Sequence, residues 1–173
     1  KKALKRSNAK IGDLIYVTGT LGDAGLGLMV KQGHKVESSA AVLKQFNKPI
    51  PKVSEGLKLR DTANACIDIS DGLAADLGHI LEMSSVGAQL NYDQLPLSKE
   101  VELYIQQTCD WEMPLLAGED YELCFTVAPE KVAQLDIQCT CIGMIEKNHG
   151  LRLNKEGRVV DFKARGFDHF KEK

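Results

Sequence analysis

The sequence has no apolar run that approaches the roughly 20 residues a helix needs to cross a bilayer. It also lacks an excess of charge of one sign, because 22 Lys and Arg residues nearly balance 24 Asp and Glu, for a formal net charge of −2. These two absences argue against membrane and nucleic acid as partners. With 173 residues, 43% of them hydrophobic, the chain is long enough to form one ordinary domain with a sizeable core.

The five cysteines include no Cys-x-x-Cys pair, and no His lies at helical spacing to complete a tetrahedral zinc site. Zinc binding is therefore the less favoured alternative. Cys66 and Cys124 lie in apolar strand patterns and are expected in the core. An odd number of scattered thiols fits a reducing compartment.

Strand-like and helix-like segments alternate along the chain, without an internal repeat or a low-complexity linker. This order predicts an α/β (α+β) fold, a mixed sheet with helices on both faces. Strands are predicted at 14–18, 65–69, 88–92, 122–127 and 137–145, with a hairpin at 151–160. Helices are predicted at 23–31, 38–46, 53–63 and 98–107, with a further one running through Leu73, Leu77 and Leu81.

A glycine-rich turn at 18–27 follows the first predicted strand and precedes the first helix. It lacks the Gly-Lys-Ser/Thr ending of a P-loop and the spacing of a dinucleotide fingerprint. We therefore predict a structural turn with close helix packing.

The segment 68–73, DISDGL, connects an apolar strand to an amphipathic helix. The pattern places Asp68 at the end of the strand, Ser70 as a helix cap and Asp71 in the first helical turn. Capping alone accounts for Ser70 and Asp71, whereas a carboxylate at Asp68 requires a compensating cation. Two carboxylates and a hydroxyl suit Mg²⁺, which binds one or two carboxylates together with substrate phosphates, and so indicate phosphoryl transfer.

A second acidic turn, at 118–122 (GEDYE), leads into an alternating strand in which Tyr121, Leu123 and Phe125 share one face. Taken alone, Glu119 and Asp120 are typical of a solvated turn.

Together, these motifs resemble the thiamine-monophosphate kinase family. The matching segments are 6–13 (RSNAKIGD), 16–20 (YVTGT), 68–73, 118–125 (GEDYELCF) and 166–170 (GFDHF). The resemblance implies the C-terminal domain of the aminoimidazole ribonucleotide synthetase-like fold. It also implies a kinase that uses ATP and Mg²⁺ to phosphorylate thiamine monophosphate directly to thiamine diphosphate.

The resemblance assigns roles to six residues. It implies that Asp68 and Asp71 are catalytic and hold Mg²⁺, that Ser70 and Arg6 contact ATP, and that Glu119 and Phe167 bind the substrate. A thiamine ring system favours an aromatic face and a nearby carboxylate. This chain has Phe167 where many relatives have Tyr or Trp, a difference that keeps stacking but removes the hydrogen bond of a phenol.

The resemblance further implies that residues 1–10 are a linker from a missing N-terminal ATP-binding domain and that 11–173 form the C-terminal domain. It implies a cytoplasmic enzyme, a homodimer when complete, whose C-terminal part alone is inactive. Two alternatives stay open. One is another ATP-using enzyme of the same superfamily, of the purine-pathway synthetase type, and the other is a non-catalytic binding module that retains the fold.

Overall fold

The computed structural model describes residues 3–36, 39–160 and 162. Within these ranges the strands are β1 Leu14–Val17, β2 Ala63–Asp68, β3 Gly87–Asn91, β4 Leu123–Val127, β5 Thr140–Glu146, β6 Gly150–Lys155 and β7 Arg158–Val160. The α-helices are α1 Asp23–Lys31, α2 Ser39–Asn47, α3 Val53–Lys58, α4 Leu73–Ser84, α5 Lys99–Thr108 and α6 Met113–Leu116. Short 3₁₀ helices cover Leu59–Asp61, Tyr92–Gln94 and Pro129–Gln134.

In the described part of the chain, seven strands form a single sheet in the order β2-β4-β1-β5-β3-β6-β7. The β3–β6 pair is parallel, and the other neighbouring pairs are antiparallel. The predicted mixed sheet is therefore confirmed. Because β4 is antiparallel to both β1 and β2, the carboxyl ends of β1 and β2 lie beside the start of β4. We refer to this end of the three strands as the edge that carries the acidic turns.

The two faces of the sheet bury different side chains. On the first face, Leu73, Leu77 and Ile80 of α4 join one core with sheet residues such as Ile67. On the second face, Phe125 stacks on Tyr16 with ring centroids 5.7 Å apart, and the 3₁₀ segments supply the cover. Complete burial of each such side chain contributes about 1.5–3 kcal/mol.

Helices α1, α2, α5 and α6 form a smaller apolar cluster of their own around Leu26, Val42 and Met113. A Cβ at Gly27 would lie 2.5 Å from the Val42 carbonyl oxygen, so the glycine lets α1 and α2 approach closely. This geometry agrees with a packing role for the glycine-rich turn.

Several predicted boundaries are wrong. The helix predicted at 53–63 ends at Lys58, because Ala63 already pairs with Val127 and tertiary pairing overrides helix propensity. Strand β5 begins at Thr140 and not at residue 137, since Ile137 packs against the second face before the strand. Cys124 is fully buried as predicted, whereas Cys66 is only partly buried.

The segment before β1 lies along the outer edge of β2. The Cys66 amide donates to the Lys5 carbonyl at 3.1 Å, and Ala9 is buried in the first core. No helix in the described ranges is long and apolar enough to span a membrane.

Candidate functional site

The two acidic turns lie side by side at the edge of the sheet. Backbone pairing between β2 and β4 continues past the strands, because the Ile69 amide donates to the Glu122 carbonyl and the Tyr121 amide donates to the Ile69 carbonyl, both at 2.8 Å. The Glu119 amide then donates to the Ser70 carbonyl at 2.9 Å. A Cβ at Gly118 would lie 2.2 Å from that carbonyl oxygen, so this approach requires glycine. The pairing places the turns that carry Asp71 and Glu119 next to each other.

The first turn differs from its predicted conformation. Helix α4 begins at Leu73, with Gly72 as its N-cap, so Asp71 precedes the helix and does not lie in its first turn. The amides of Ser70 and Asp71 both donate to Asp76 Oδ2, each at 2.9 Å. The prediction that Ser70 caps the helix is therefore wrong: a carboxylate from inside the helix binds the amides of the turn. The hydroxyl of Ser70 is not used as the cap of α4.

The carboxylates of this edge act on a common neighbour, Tyr121. Its phenol donates to Glu119 Oε2 at 3.0 Å. The pKa of Tyr121 is raised, first by this bond and the Glu119 charge, and further by the charges of Asp68 and Asp71. Asp68 and Glu119 are exposed and Asp71 is half-buried. The edge is thus a concentrated negative field that attracts cations.

Glu119 and Tyr121 both have positive φ, at 69° and 51°. Residues other than glycine rarely adopt this region, and bulky ones least of all. Such backbone strain persists where surrounding structure enforces it and concentrates at functional turns. In this turn, the backbone hydrogen bonds to Ile69 and Ser70 enforce it.

A cleft of about 330 Å³ opens beside the two turns. Ser70, Asp71, Gly118 and Glu119 form its polar side. The rest of the lining, the apolar wall, is mostly apolar and comes from α1, α2 and α6, through Ala24, Gly25, Leu28, Met29, Gln32, Phe46, Leu116 and Ala117. The arrangement suits a ligand with an apolar or aromatic body and a charged end. Sequence reasoning missed this apolar wall, since single-sequence periodicity does not show that α1 and α2 pack beside the acidic turns.

Asp120 is buried, at 1% exposure, so the interpretation of this dipeptide as a solvated turn is wrong for Asp120. Its carboxylate accepts from the Gly22 amide at 2.8 Å and the Ala24 amide at 3.1 Å, at the N-terminus of α1. Burial raises the pKa of Asp120 to about 7, and the charges of Asp23 and Glu122 add to the rise. One signal was available: the N-cap of α1 is glycine, so its amides need an acceptor from elsewhere.

Glu122 is the second buried carboxylate of this motif. Thr18 Oγ1 donates to Glu122 Oε2 at 2.5 Å, and Lys52 Nζ lies 3.1 Å from Glu122 Oε1. The same threonine accepts from the Leu123 amide at 2.9 Å. The group ties the end of β1 to the start of β4 and to the residue before α3, and so stabilises the edge that carries the cleft.

The predicted site residues do not all lie together. Asp68, Ser70, Asp71 and Glu119 share this edge, whereas the Arg6 carbonyl accepts from Ser84 Oγ at 3.0 Å, at the far end of α4. A 12-residue helix is about 18 Å long. The backbone of Arg6 is thus remote from the acidic turns. Phe167 lies outside the described residues.

Within residues 3–36, 39–160 and 162, no cluster of three or more His, Cys, Asp or Glu side chains is arranged to hold a metal ion. Asp68 and Asp71 are two carboxylates of neighbouring residues in the first acidic turn, fewer than a closed all-protein metal site requires.

The seven strands and the paired acidic turns at one edge define an α+β domain with an acidic cleft. Residues 10–154 match the family described as AIR synthase related protein, C-terminal domain, and the chain belongs to this family. The predicted family resemblance and fold class are confirmed.

Relatives of this chain include thiamine-monophosphate kinases. The one from Buchnera aphidicola subsp. Schizaphis graminum is 46% identical over 184 residues, a match that covers 98% of this chain and 56% of the relative. The Stenotrophomonas maltophilia thiamine-monophosphate kinase structure has a TM-score of 0.78 at 35% identity, covering 92% of this chain and 54% of the other. The structure of AaThiL complexed with AMPPCP and TMP matches equally well, with TM-score 0.78 and 35% identity over 96% of this chain and 54% of that one. The chain spans about half the length of the curated relatives it matches.

Proposed function

We propose that this chain forms part of an ATP-dependent kinase that phosphorylates thiamine monophosphate to thiamine diphosphate. The observation that carries the proposal is that Ser70, Asp71 and Glu119 line one cleft whose remaining lining is mostly apolar. The names of the relatives and the bound AMPPCP and TMP of AaThiL support this choice of substrates.

Mg²⁺ fits the donors at this edge. Asp68 and Asp71 offer hard oxygen ligands, and their charges already reach the same phenol of Tyr121. We propose that these two carboxylates hold the metal. When bound, Mg²⁺ would neutralise charge on the ATP phosphates.

The cleft fits the organic part of the acceptor. A thiazolium carries positive charge and the aminopyrimidine is a flat ring, so an apolar wall with a carboxylate at its side suits both. We propose that Glu119 binds the cationic part of thiamine and that the ring system lies against α1. Phe167, outside the described residues, is proposed to stack on it.

The residues of this chain act chiefly by positioning. The acceptor is a phosphate oxygen that is ionised at neutral pH, so the reaction needs no strong general base. Holding it in line with the γ-phosphoryl group of ATP supplies most of the rate enhancement. We propose that Ser70 and Arg6 contact ATP, with Arg6 acting where the chain leads to another domain.

The complete enzyme is proposed to have an N-terminal ATP-binding domain that residues 1–10 connect to the domain at 11–173. It is also proposed to form a homodimer in the cytoplasm. Two Asp and one Ser are few ligands for ATP, Mg²⁺ and an acceptor. We therefore expect the chain alone to be inactive and the missing ligands to come from the other domain.

The test uses the full-length kinase with Asp68→Asn and Asp71→Asn, assayed for thiamine diphosphate at saturating Mg²⁺. Each loss of a metal-ligand charge should lower kcat/KM by about a hundredfold or more, because several kcal/mol of charge stabilisation is lost. Asp136→Asn is the matched control, since its carboxylate is exposed and pairs with Lys58. Near-normal turnover in folded Asp68 and Asp71 variants would overturn the proposal.

The same preparation separates the kinase from another ATP-using enzyme of the superfamily. With ATP held at saturating concentration, calorimetric titration with thiamine monophosphate and with a purine-pathway ribonucleotide intermediate that lacks the adenine base should give heat only for the first. Binding of the pathway intermediate alone would favour the synthetase type, and binding of neither would favour a non-catalytic module.

A further inference from the structure

One carboxylate oxygen holds two successive amides of the first acidic turn. Asp76 Oδ2 accepts from the Ser70 amide and from the Asp71 amide, each at 2.9 Å. The conformation of this turn therefore depends on a side chain one helical turn inside α4. Both residues whose amides it binds line the cleft.

The position of Asp76 has an electrostatic cost. The side chain is only 3% exposed, and the charges of Asp68 and Asp71 act on it with the same sign. A buried carboxylate is unfavourable unless hydrogen bonds compensate it. The two amide bonds provide that compensation, because charge-assisted bonds are stronger than neutral ones. An apolar residue would be the simpler choice at a buried helix position if packing were its only task.

The two hydrogen bonds to Asp76 restrict the backbone of the first acidic turn. With both amides directed towards Asp76, the peptide groups around residues 70 and 71 are fixed, and Asp71 precedes the helix at the cleft. We propose that Asp76 is a positioning residue that orients Asp71 and Ser70 for metal and phosphate binding. This inference rests on the proposed function. Mutation of a residue that positions metal ligands commonly lowers metal affinity about 10- to 100-fold, and we expect a loss of this size for Asp76.

The variants are Asp76→Ala and Asp76→Asn in the full-length kinase. Alanine removes the acceptor, whereas the amide oxygen of asparagine can still accept from both N–H groups. The matched control is Asp13→Ala, because Asp13 is a buried carboxylate at the opposite end of the same strands, where it accepts hydrogen bonds from Thr126 and Asn64. Both alanine variants lose hydrogen bonds to a buried carboxylate, but only one loses them at the turn.

Two measurements distinguish positioning from general stability. Mn²⁺, used in place of Mg²⁺, is titrated by electron paramagnetic resonance, and exchange of the Ser70 and Asp71 amides is followed by NMR. Asp76→Ala should weaken Mn²⁺ binding by about tenfold or more. It should also remove protection from the two amides. Asp76→Asn should keep the Mn²⁺ affinity and the amide protection close to those of the unaltered kinase. Asp13→Ala should leave both quantities unchanged even if it lowers the unfolding free energy.

Equal Mn²⁺ affinity in Asp76→Ala and Asp13→Ala would overturn the inference. If Asp76→Ala does not fold, exchange in the unaltered kinase decides, because rapid exchange of the Ser70 and Asp71 amides would show that Asp76 does not hold them. Failure of the metal proposal is recognised separately. Asp71→Asn would then bind Mn²⁺ as the unaltered kinase does, whereas failure of positioning alone leaves Asp71→Asn impaired and Asp76→Ala normal.

Discussion

The amide of Glu119 donates a 2.9 Å hydrogen bond to the carbonyl of Ser70, and this bond joins two acidic turns that are far apart in sequence. It forms only because the residue before Glu119 has no side chain: a Cβ at position 118 would lie 2.2 Å from the same carbonyl oxygen. The proposed metal-binding turn and the proposed substrate-binding turn are thus held at a fixed separation by backbone contacts.

Gly118→Ala should therefore open the junction between the turns. Overpacking against a backbone carbonyl costs about 1–3 kcal/mol of unfolding free energy. Gly78→Ala is the matched control, because in the described structure a Cβ at this α4 position has no neighbour within 4 Å. That change should stabilise the protein by about 0.5–1 kcal/mol through helix propensity. Urea denaturation measures both variants, and equal stabilities would contradict the close approach.

The acidic edge was predictable in part from the sequence. Asp68 lies at the carboxyl end of β2 as predicted, because the apolar run before it predicts a strand. The proximity of Glu119 was inferred only through family resemblance. The pairing that produces it joins turns on β2 and β4, and single-sequence periodicity does not specify which strands are neighbours.

Sequence reasoning also missed the roles of the buried carboxylates. Ser70 and Asp71 fit a helix-cap pattern, yet their amides donate hydrogen bonds to Asp76. A side-chain acceptor inside the helix competes with a local cap once the turn is folded. Asp120 looked solvated because its acceptor role depends on α1, which packs beside the turn only in the tertiary structure.

The stability of the domain should depend on the ionisation of Asp120. Its folded pKa of about 7 lies above the value of about 3.9 expected for an unfolded Asp. The folded state therefore binds this proton more tightly. The stability contributed by protonation is fully present below pH about 4 and is lost as the pH rises through about 7.

Asp120→Asn removes this titration. Between pH 5 and pH 8 the unfolding free energy of the unaltered chain should fall relative to that of Asp120→Asn, as measured by denaturation at each pH. Asp136→Asn, at an exposed position, serves as the control and should run parallel to the unaltered chain. Parallel curves for Asp120→Asn would show that Asp120 is ionised throughout this range.

Lys52 should contribute far more to stability than Lys58. The Lys52 partner, Glu122, is 4% exposed, and a buried carboxylate left without its cation is strongly unfavourable. Lys52→Met should cost about 2–4 kcal/mol of unfolding free energy, less than a fully buried pair because Lys52 retains some solvent contact. Glu122→Gln in the same variant should recover part of the loss.

Lys58→Met is the control for that experiment. Lys58 and Asp136 are paired at 3.0 Å, but their side chains are 53% and 87% exposed. Solvent and salt screen such a pair, so its loss should change the unfolding free energy by less than about 1 kcal/mol. Similar costs for the two lysine variants would mean that Glu122 does not depend on Lys52.

The apolar wall of the cleft should determine affinity for the acceptor rather than for ATP. Leu28 lines this wall and is 42% exposed, so its side chain contributes little to the core but is available to a ligand. In the full-length kinase, Leu28→Ser should raise the KM for thiamine monophosphate about five- to tenfold, as expected from losing about 1–1.4 kcal/mol of apolar contact. The KM for ATP should change little, because the proposed contacts to the nucleotide come from Ser70 and Arg6 and not from the apolar wall. Met83→Ser, on an exposed site near the far end of α4, is the matched control and should leave both constants unchanged. Equal increases in the two KM values would assign the wall to a general structural role and remove it from the proposed thiamine site.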